Sequence, residues 1–148
     1  MFGTPPRAIS LPSFLRRVGA DPTDVKKLFQ SDLQTTVSRY RIIQCAKVYQ
    51  HNTAIAALDY AVGRATAAQA ADELLNISGI AASFVLYPDG NKVIISARSI
   101  GEANVQMILE PLGGGGNQAT AGAQISGKTV SAVLEDLLQS IDKYYEEA

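Results

Sequence analysis

Two short stretches hold groups suited to gripping a phosphate. Ser96-Ala97-Arg98-Ser99 closes an apolar run. A guanidinium at a strand end can chelate phosphate through two parallel hydrogen bonds, with hydroxyls on either side as further donors. Farther on, Gly113-Gly114-Gly115-Gly116 is followed by Asn117. Each glycine loses more backbone entropy on folding than any other residue type, so four in a row need a reason. Either backbones crowd together there in a tight reversal, or successive bare amide N–H groups form a concave nest for an anion, open to a phosphate or ribose. Alone, Arg98 could equally pair with Glu102. Coupled to the glycine run, it marks a candidate anion site of one cation, two hydroxyls and a row of amides.

Gly122 to Thr129 spells the letters G-x-x-x-x-G-K-T of a nucleotide phosphate loop, in the wrong context. That motif needs a strand ending at its first glycine, whereas Ala123 to Ser126 look like strand inside the supposed loop. The 19 residues after Thr129 read as helix and tail, leaving no later strand to deliver a metal-holding aspartate. Lys128 and Thr129 therefore read as turn and helix cap. The single histidine, His51, lies in a helix-to-strand connection with no evident nucleophile beside it, and reads as a surface or capping residue. No Asp-x-Asp, His-x-Asp or paired-cysteine spacing occurs. A catalytic metal would be under-ligated, so the expectation is a binding domain with no cofactor of its own.

The elements that must position these residues follow from pattern and punctuation. Pro5, Pro6 and Pro12 mark a flexible leader over 1–13, with a short helical turn at Phe14 to Val18. Asp21-Pro22-Thr23-Asp24 supplies a cap, a proline for the first helical position and an early acid. The long helix it opens carries Val25, Leu28, Phe29, Leu33, Val37 and Tyr40 at three-to-four spacing, a packing face continuing through Ile43 to about Val48. Residues 53–58 read as a strand, and Thr66-Ala67-Ala68-Gln69 as a capping box opening a helix through Leu75. Ile80 to Tyr87 and Lys92 to Ala97 form a hairpin about Pro88-Asp89-Gly90-Asn91, and their continuous apolar runs predict a sheet covered on both faces. Val105, Ile108 and Leu109 mark a helix that Pro111 ends or bends. Ala121 to Ser126 add a strand, and Thr129 opens a last helix through Leu137 and Ile141. The expected fold is α/β: a mixed sheet of four or five strands flanked by helices, with a helical arm over 14–50 and the domain over 51–148.

Composition bounds the rest. A chain of 148 residues, 47% hydrophobic and 18% charged, closes one core. No stretch reaches the roughly 18 apolar residues of a membrane span, and the single Cys45 reads as a small buried hydrophobe in a reducing, cytoplasmic setting. Net charge is −1, yet the first 51 residues carry eight Lys or Arg against three acids and the remainder five against eleven. That asymmetry reads as a solvated helix face, or as a basic surface docking a partner domain or polynucleotide.

The stretch from Ser96 through Arg98-Ser99 and Gly113-Gly114-Gly115-Gly116-Asn117 to Gln124 resembles the DHH-associated domain of the DHH phosphoesterase superfamily. Within it, the resemblance is to the membrane-anchored cyclic di-AMP phosphodiesterases of bacteria. Ala68 to Ile80 and Leu15 to Asp21 extend it to roughly residues 14–148. In that family a separate core, named for its Asp-His-His motif, holds two manganese ions and hydrolyses a phosphodiester bond. This chain does not resemble the core, so the resemblance implies manganese for the parent's core domain and not here. It implies a lid in which Arg98 and Ser99 hold phosphate or sugar while Gly113 to Gly116 let the ligand approach the backbone. Members commonly carry histidine directly after the glycines; Asn117 donates and accepts hydrogen bonds but does not become cationic near neutral pH. The partners implied are linear or cyclic di-AMP, AMP or a short oligonucleotide, the parent's DHH core, and a second copy in a homodimer. A similar glycine-rich domain closes alanyl-tRNA synthetases and RecJ-type exonucleases. A nucleic-acid-binding module is therefore the alternative, and a dimerisation domain with a structural glycine loop a third.

Overall fold

The computed structural model describes residues 22–147, so the leader and the turn expected at Phe14 to Val18 lie outside the described residues. The chain divides into two units, 1–37 and 38–148. In the first, the described residues are the opening turns of α1 (Pro22–Cys45), which begins at the proline the sequence marks. The stripe read there as a packing face is exposed: Leu28 is 63% and Phe29 69% accessible, with Leu33 and Val37 also open. Nothing among the described residues covers it, so periodicity alone overstated its burial.

The second unit is a six-stranded mixed sheet, ordered β1-β2-β3-β4-β6-β5, with a helix layer on each face. Its elements in chain order are β1 (Lys47–Tyr49), β2 (Thr53–Ala57), α2 (Arg64–Leu74), β3 (Ala82–Asp89), β4 (Lys92–Ser99), α3 (Val105–Leu109), β5 (Gly115–Gly116), β6 (Thr120–Ser126) and α4 (Val130–Glu147). β2 and β3 run parallel, joined through α2, and every other neighbouring pair is antiparallel. Six strands replace the expected four or five. β1 was absorbed into the apolar run of the preceding helix, which stops at Cys45, and β5 consists of two glycines without side chains to show alternation. Cys45, at the helix end, is exposed and not buried. α2 begins at Arg64 behind Gly63, two residues before the expected capping threonine.

The hairpin between β3 and β4 turns on Gly90 (φ +63°) and Asn91, with positive φ at the first turn position as a type II′ turn requires. Pro88 sits in β3 beyond the last residue paired with β2, so its missing N–H costs no bond to that strand. Both faces of the hairpin are buried, as its continuous apolar runs predicted. Phe84, Leu86, Ile95 and Ala97 pack under α3 and α4, whereas Val85, Tyr87 and Ile94 pack under α2. The Thr129 hydroxyl accepts the Ala132 N–H at 3.1 Å, capping α4, whose Leu137 is 0% exposed. Truncation of Leu137 to alanine should cost about 2–5 kcal/mol by leaving a cavity in this layer, read as a lower midpoint in chemical denaturation.

Candidate functional site

Strand register decides which side chains share a face. Ser83, Arg98 and Thr120 lie opposite one another across β3, β4 and β6. The next row is Val85, Ser96, Gly122 and Gly115, and the one after it Tyr87, Ile94 and Gln124. Directly paired residues of a sheet point to the same side, and alternate residues along a strand return to it. All three rows therefore face the layer formed by α2. That helix packs on β3 and β4, held by Ala67, Ala70, Ala71 and Leu74 and by a hydrogen bond of 2.6 Å that the Ser83 hydroxyl donates to the Ala71 carbonyl. β6 and β5 run on past it. Between helix and sheet edge lies a cleft of about 490 Å³ whose floor has little or no side chain: Ser96, Gly122 and Gly113 to Gly115.

The four glycines have three different reasons. Gly113 takes φ +85° where the 3₁₀ turn Glu110–Leu112 ends, a left-handed conformation that suits glycine. A Cβ on Gly114 would stand 2.6 Å from the Gly122 carbonyl oxygen and 2.9 Å from the Cβ atoms of Ala123 and Leu109. Gly116, at φ +141°, would collide with the Thr120 carbonyl and Ala121. These two carry the crowding account. Gly115 does not: its φ is not positive, and a Cβ there would meet nothing within 4 Å. It lines the cleft, and its freedom from side chain serves neither fold nor packing.

Arg98 is not among the residues lining this trough; it lies on the same face of the sheet, in the next row along β4 from Ser96. Its Nε is 3.0 Å from Asp72 Oδ1 near the C-terminal end of α2, not paired with Glu102, and its Nη1 donates to the Ala97 carbonyl at 2.8 Å. The ion pair fixes the guanidinium against the helix while its side chain stays 17% exposed. Ser99 lies on the other face of β4, buried. Its hydroxyl donates to the Gln118 carbonyl (2.8 Å) and its N–H to the Ala119 carbonyl (3.0 Å). Asn117 closes the same loop: its Oδ1 accepts the N–H groups of Ala119 and Thr120, both at 3.0 Å, and its own N–H donates to the Thr120 carbonyl. The geometry thus brings Arg98 and the glycine edge onto one face, with Ser99 and Asn117 bracing the loop between them.

Sequence reasoning missed the far end of the cleft, lined by Arg64, Ala68, Tyr87 and Gln124. Arg64 was hidden because the helix was expected to start beyond it, and Tyr87 because it sits in a continuous apolar run. A larger cleft, about 600 Å³, lies between α3 and α4 and includes Met107, Leu112, Ile125, Lys128 and Tyr144. It holds none of the glycine run, and Lys128 is bound 2.6 Å from Asp136, so the smaller cleft is the better candidate for an anion. The false phosphate loop resolves into strand and turn, as expected: Ala123 to Ser126 lie within strand β6 and Gly127 turns at φ +76°. His51 is exposed and stacks on Tyr145. Among the described residues no three His, Cys, Asp or Glu gather in a way that could hold a metal ion such as manganese.

Comparison with known proteins gives the family. The DHHA1 domain family matches residues 50–147. The cyclic-di-AMP phosphodiesterase GdpP of Bacillus subtilis is 42% identical over 145 residues, 95% of this chain, and PdeA of Listeria monocytogenes is 39% identical over 142 residues, 94% of it. The chain spans 22% of the length of each. Among solved structures, an exopolyphosphatase-related protein from Bacteroides fragilis superposes with a TM-score of 0.66 at 22% identity, covering 74% of this chain and 34% of that one. A pGpG-specific phosphodiesterase from Vibrio cholerae gives 0.57 at 19% identity, covering 93% and 45%. At these identities the structures attest to the fold. From family and sequence relatives alike, the chain belongs to the DHHA1 domain family of the DHH phosphoesterases.

Proposed function

We propose that this chain is the substrate-gripping domain of a manganese-dependent cyclic di-AMP phosphodiesterase, binding adenine dinucleotides while the metals act from a separate DHH core. The observation that supports this reading is the shared face: Ser96, Gly122 and Gly115 form one row across three adjacent strands, and Arg98 lies on the same face in the next row along β4. A phosphodiester laid on Gly115 and Gly122 would meet bare backbone below, with Arg98 on the same face one row along β4 to draw its charge, while a ribose clears the glycine edge. Such contacts orient the phosphate and exclude water from one side; the bond-breaking groups belong to the core. The names of the sequence relatives favour an adenine dinucleotide as the ligand.

The discriminating experiment is calorimetric titration of the chain with linear di-AMP and with a single-stranded oligonucleotide at several salt concentrations. Two phosphates neutralised on a single strand give a log affinity against log salt slope of about −1.4, and a polynucleotide site a much steeper one. Saturable dinucleotide binding with the shallow slope is expected. Tighter oligonucleotide binding with a steep slope would replace this reading with a nucleic-acid module, and binding of neither would leave only a structural role.

A further inference from the structure

The end of the cleft lined by Arg64 and Tyr87 holds groups that the glycine floor does not use. Of the described arginines, Arg39 is paired with Glu73 (2.5 Å), Arg41 lies over the Tyr60 ring and Arg98 is paired with Asp72. Arg64 has no such partner and lines the cleft, exposed, in the first turn of α2. Beside it in the lining is Tyr87, only 1% exposed, whose hydroxyl is buried without a hydrogen-bond partner. A buried hydroxyl left unpaired costs about 1–3 kcal/mol, and native structures leave few of them. Tyr60 carries another such hydroxyl, but outside the cleft lining. Burial pushes the Tyr87 phenol above its ordinary pKa while Arg64 pulls it down and Asp89 raises it, so at neutral pH it is a proton donor. The Gly63 side makes no side-chain cap to α2, which leaves first-turn N–H groups at this end of the trough.

The spacing fits a ligand with two anionic groups. The row of Tyr87, Ile94 and Gln124 is two residues along β4 from the row of Ser96, Gly122 and Gly115, or about 7 Å at the rise of a strand. Arg64 and Asp72, which anchors Arg98, are eight residues apart on α2, about 12 Å along its axis.

We propose that Arg64 and the Tyr87 hydroxyl form a second phosphoryl subsite, which takes the terminal 5′-phosphate of a linear dinucleotide whose internal phosphodiester lies on the glycine floor. The proposal rests on the phosphate-gripping reading of that floor and adds the ligand class: 5′-phosphorylated dinucleotides over unphosphorylated ones. The open first turn of α2 supplies further donors to the same group. Gln124, at the exposed edge, closes the row.

The test is calorimetric titration of the wild-type chain, Arg64→Gln and Tyr87→Phe with two ligands, linear di-AMP bearing its 5′-phosphate and the same dinucleotide lacking it. Loss of a charge-assisted contact should weaken binding of the phosphorylated ligand at least about tenfold in Arg64→Gln and about threefold in Tyr87→Phe. Affinity for the unphosphorylated ligand should change by less than about twofold. Tyr87→Phe removes only an unpartnered hydroxyl, so its fold is retained if Arg64→Gln proves poorly behaved. Equal loss for both ligands, or no loss for either, overturns this subsite while leaving the glycine floor in place. A wild-type chain that binds neither ligand fails the parent reading instead, and the subsite with it.

Discussion

Valine at position 115 should lower affinity for linear di-AMP at least about tenfold, 1.4 kcal/mol, while leaving stability within about 0.5 kcal/mol of the wild type. The separation of the two effects comes from where the added atoms go. A Cβ on Gly115 meets nothing within 4 Å, and its φ is not in the left-handed region that disfavours side chains. The side chain would rise into the cleft, over the floor shared with Gly122 and Ser96, where the ligand must lie. Gly114→Ala is the control with the opposite outcome. Its methyl group would press on the Gly122 carbonyl and on Leu109 and Ala123 of the core, a small-to-large change costing about 1–3 kcal/mol. Thermal melts paired with calorimetric titrations check both variants. Equal losses of stability and affinity in Gly115→Val would mean that the whole run is a packing device.

Arg98→Ala should abolish most of the affinity, weakening dinucleotide binding about 10- to 150-fold, the worth of a charge-assisted contact of about 1.5–3 kcal/mol. Folding should survive, because the partner left behind, Asp72, is 61% exposed and an ion pair with one such member adds at most about 1 kcal/mol. Titration calorimetry gives the affinity and urea denaturation the stability. A variant with unchanged affinity would remove Arg98 from the site.

The sequence was legible where local chemistry and tertiary context agree. Pro22, Thr129, Gly90 and Pro111 each mark a boundary or turn that the structure keeps, because a fixed φ, a capping hydroxyl or a positive φ has the same consequence in any context. Continuous apolar runs in β3 and β4 announced a sheet buried on both faces. What stayed hidden depended on pairing between distant residues. β1 is three residues long and exists because β2 accepts it, and β5 exists because β6 does. The stripe from Leu28 to Val37 has helical periodicity, but periodicity cannot say whether anything covers it.

The site was legible in half. Arg98 and the glycine run stand out by type, and register alone reveals that they share a face. Nothing in the tetraglycine shows which residue serves packing and which serves the cleft, since that depends on what a Cβ would meet. Ser99 looked equivalent to Ser96, yet strand alternation sends it to the opposite side, where it braces the Asn117 loop. Arg64 reaches the cleft from a helix that begins earlier than its capping pattern suggests.

Amide chemical shifts of the isotope-labelled chain during titration with linear di-AMP test the central claim most directly. The account predicts saturating shifts at Gly115, Ser96, Gly122 and Arg98, spreading to Gln118 and Ala119 through the braced loop. Shifts confined to the cleft between α3 and α4, around Lys128 and Tyr144, with the glycine edge silent, would contradict it.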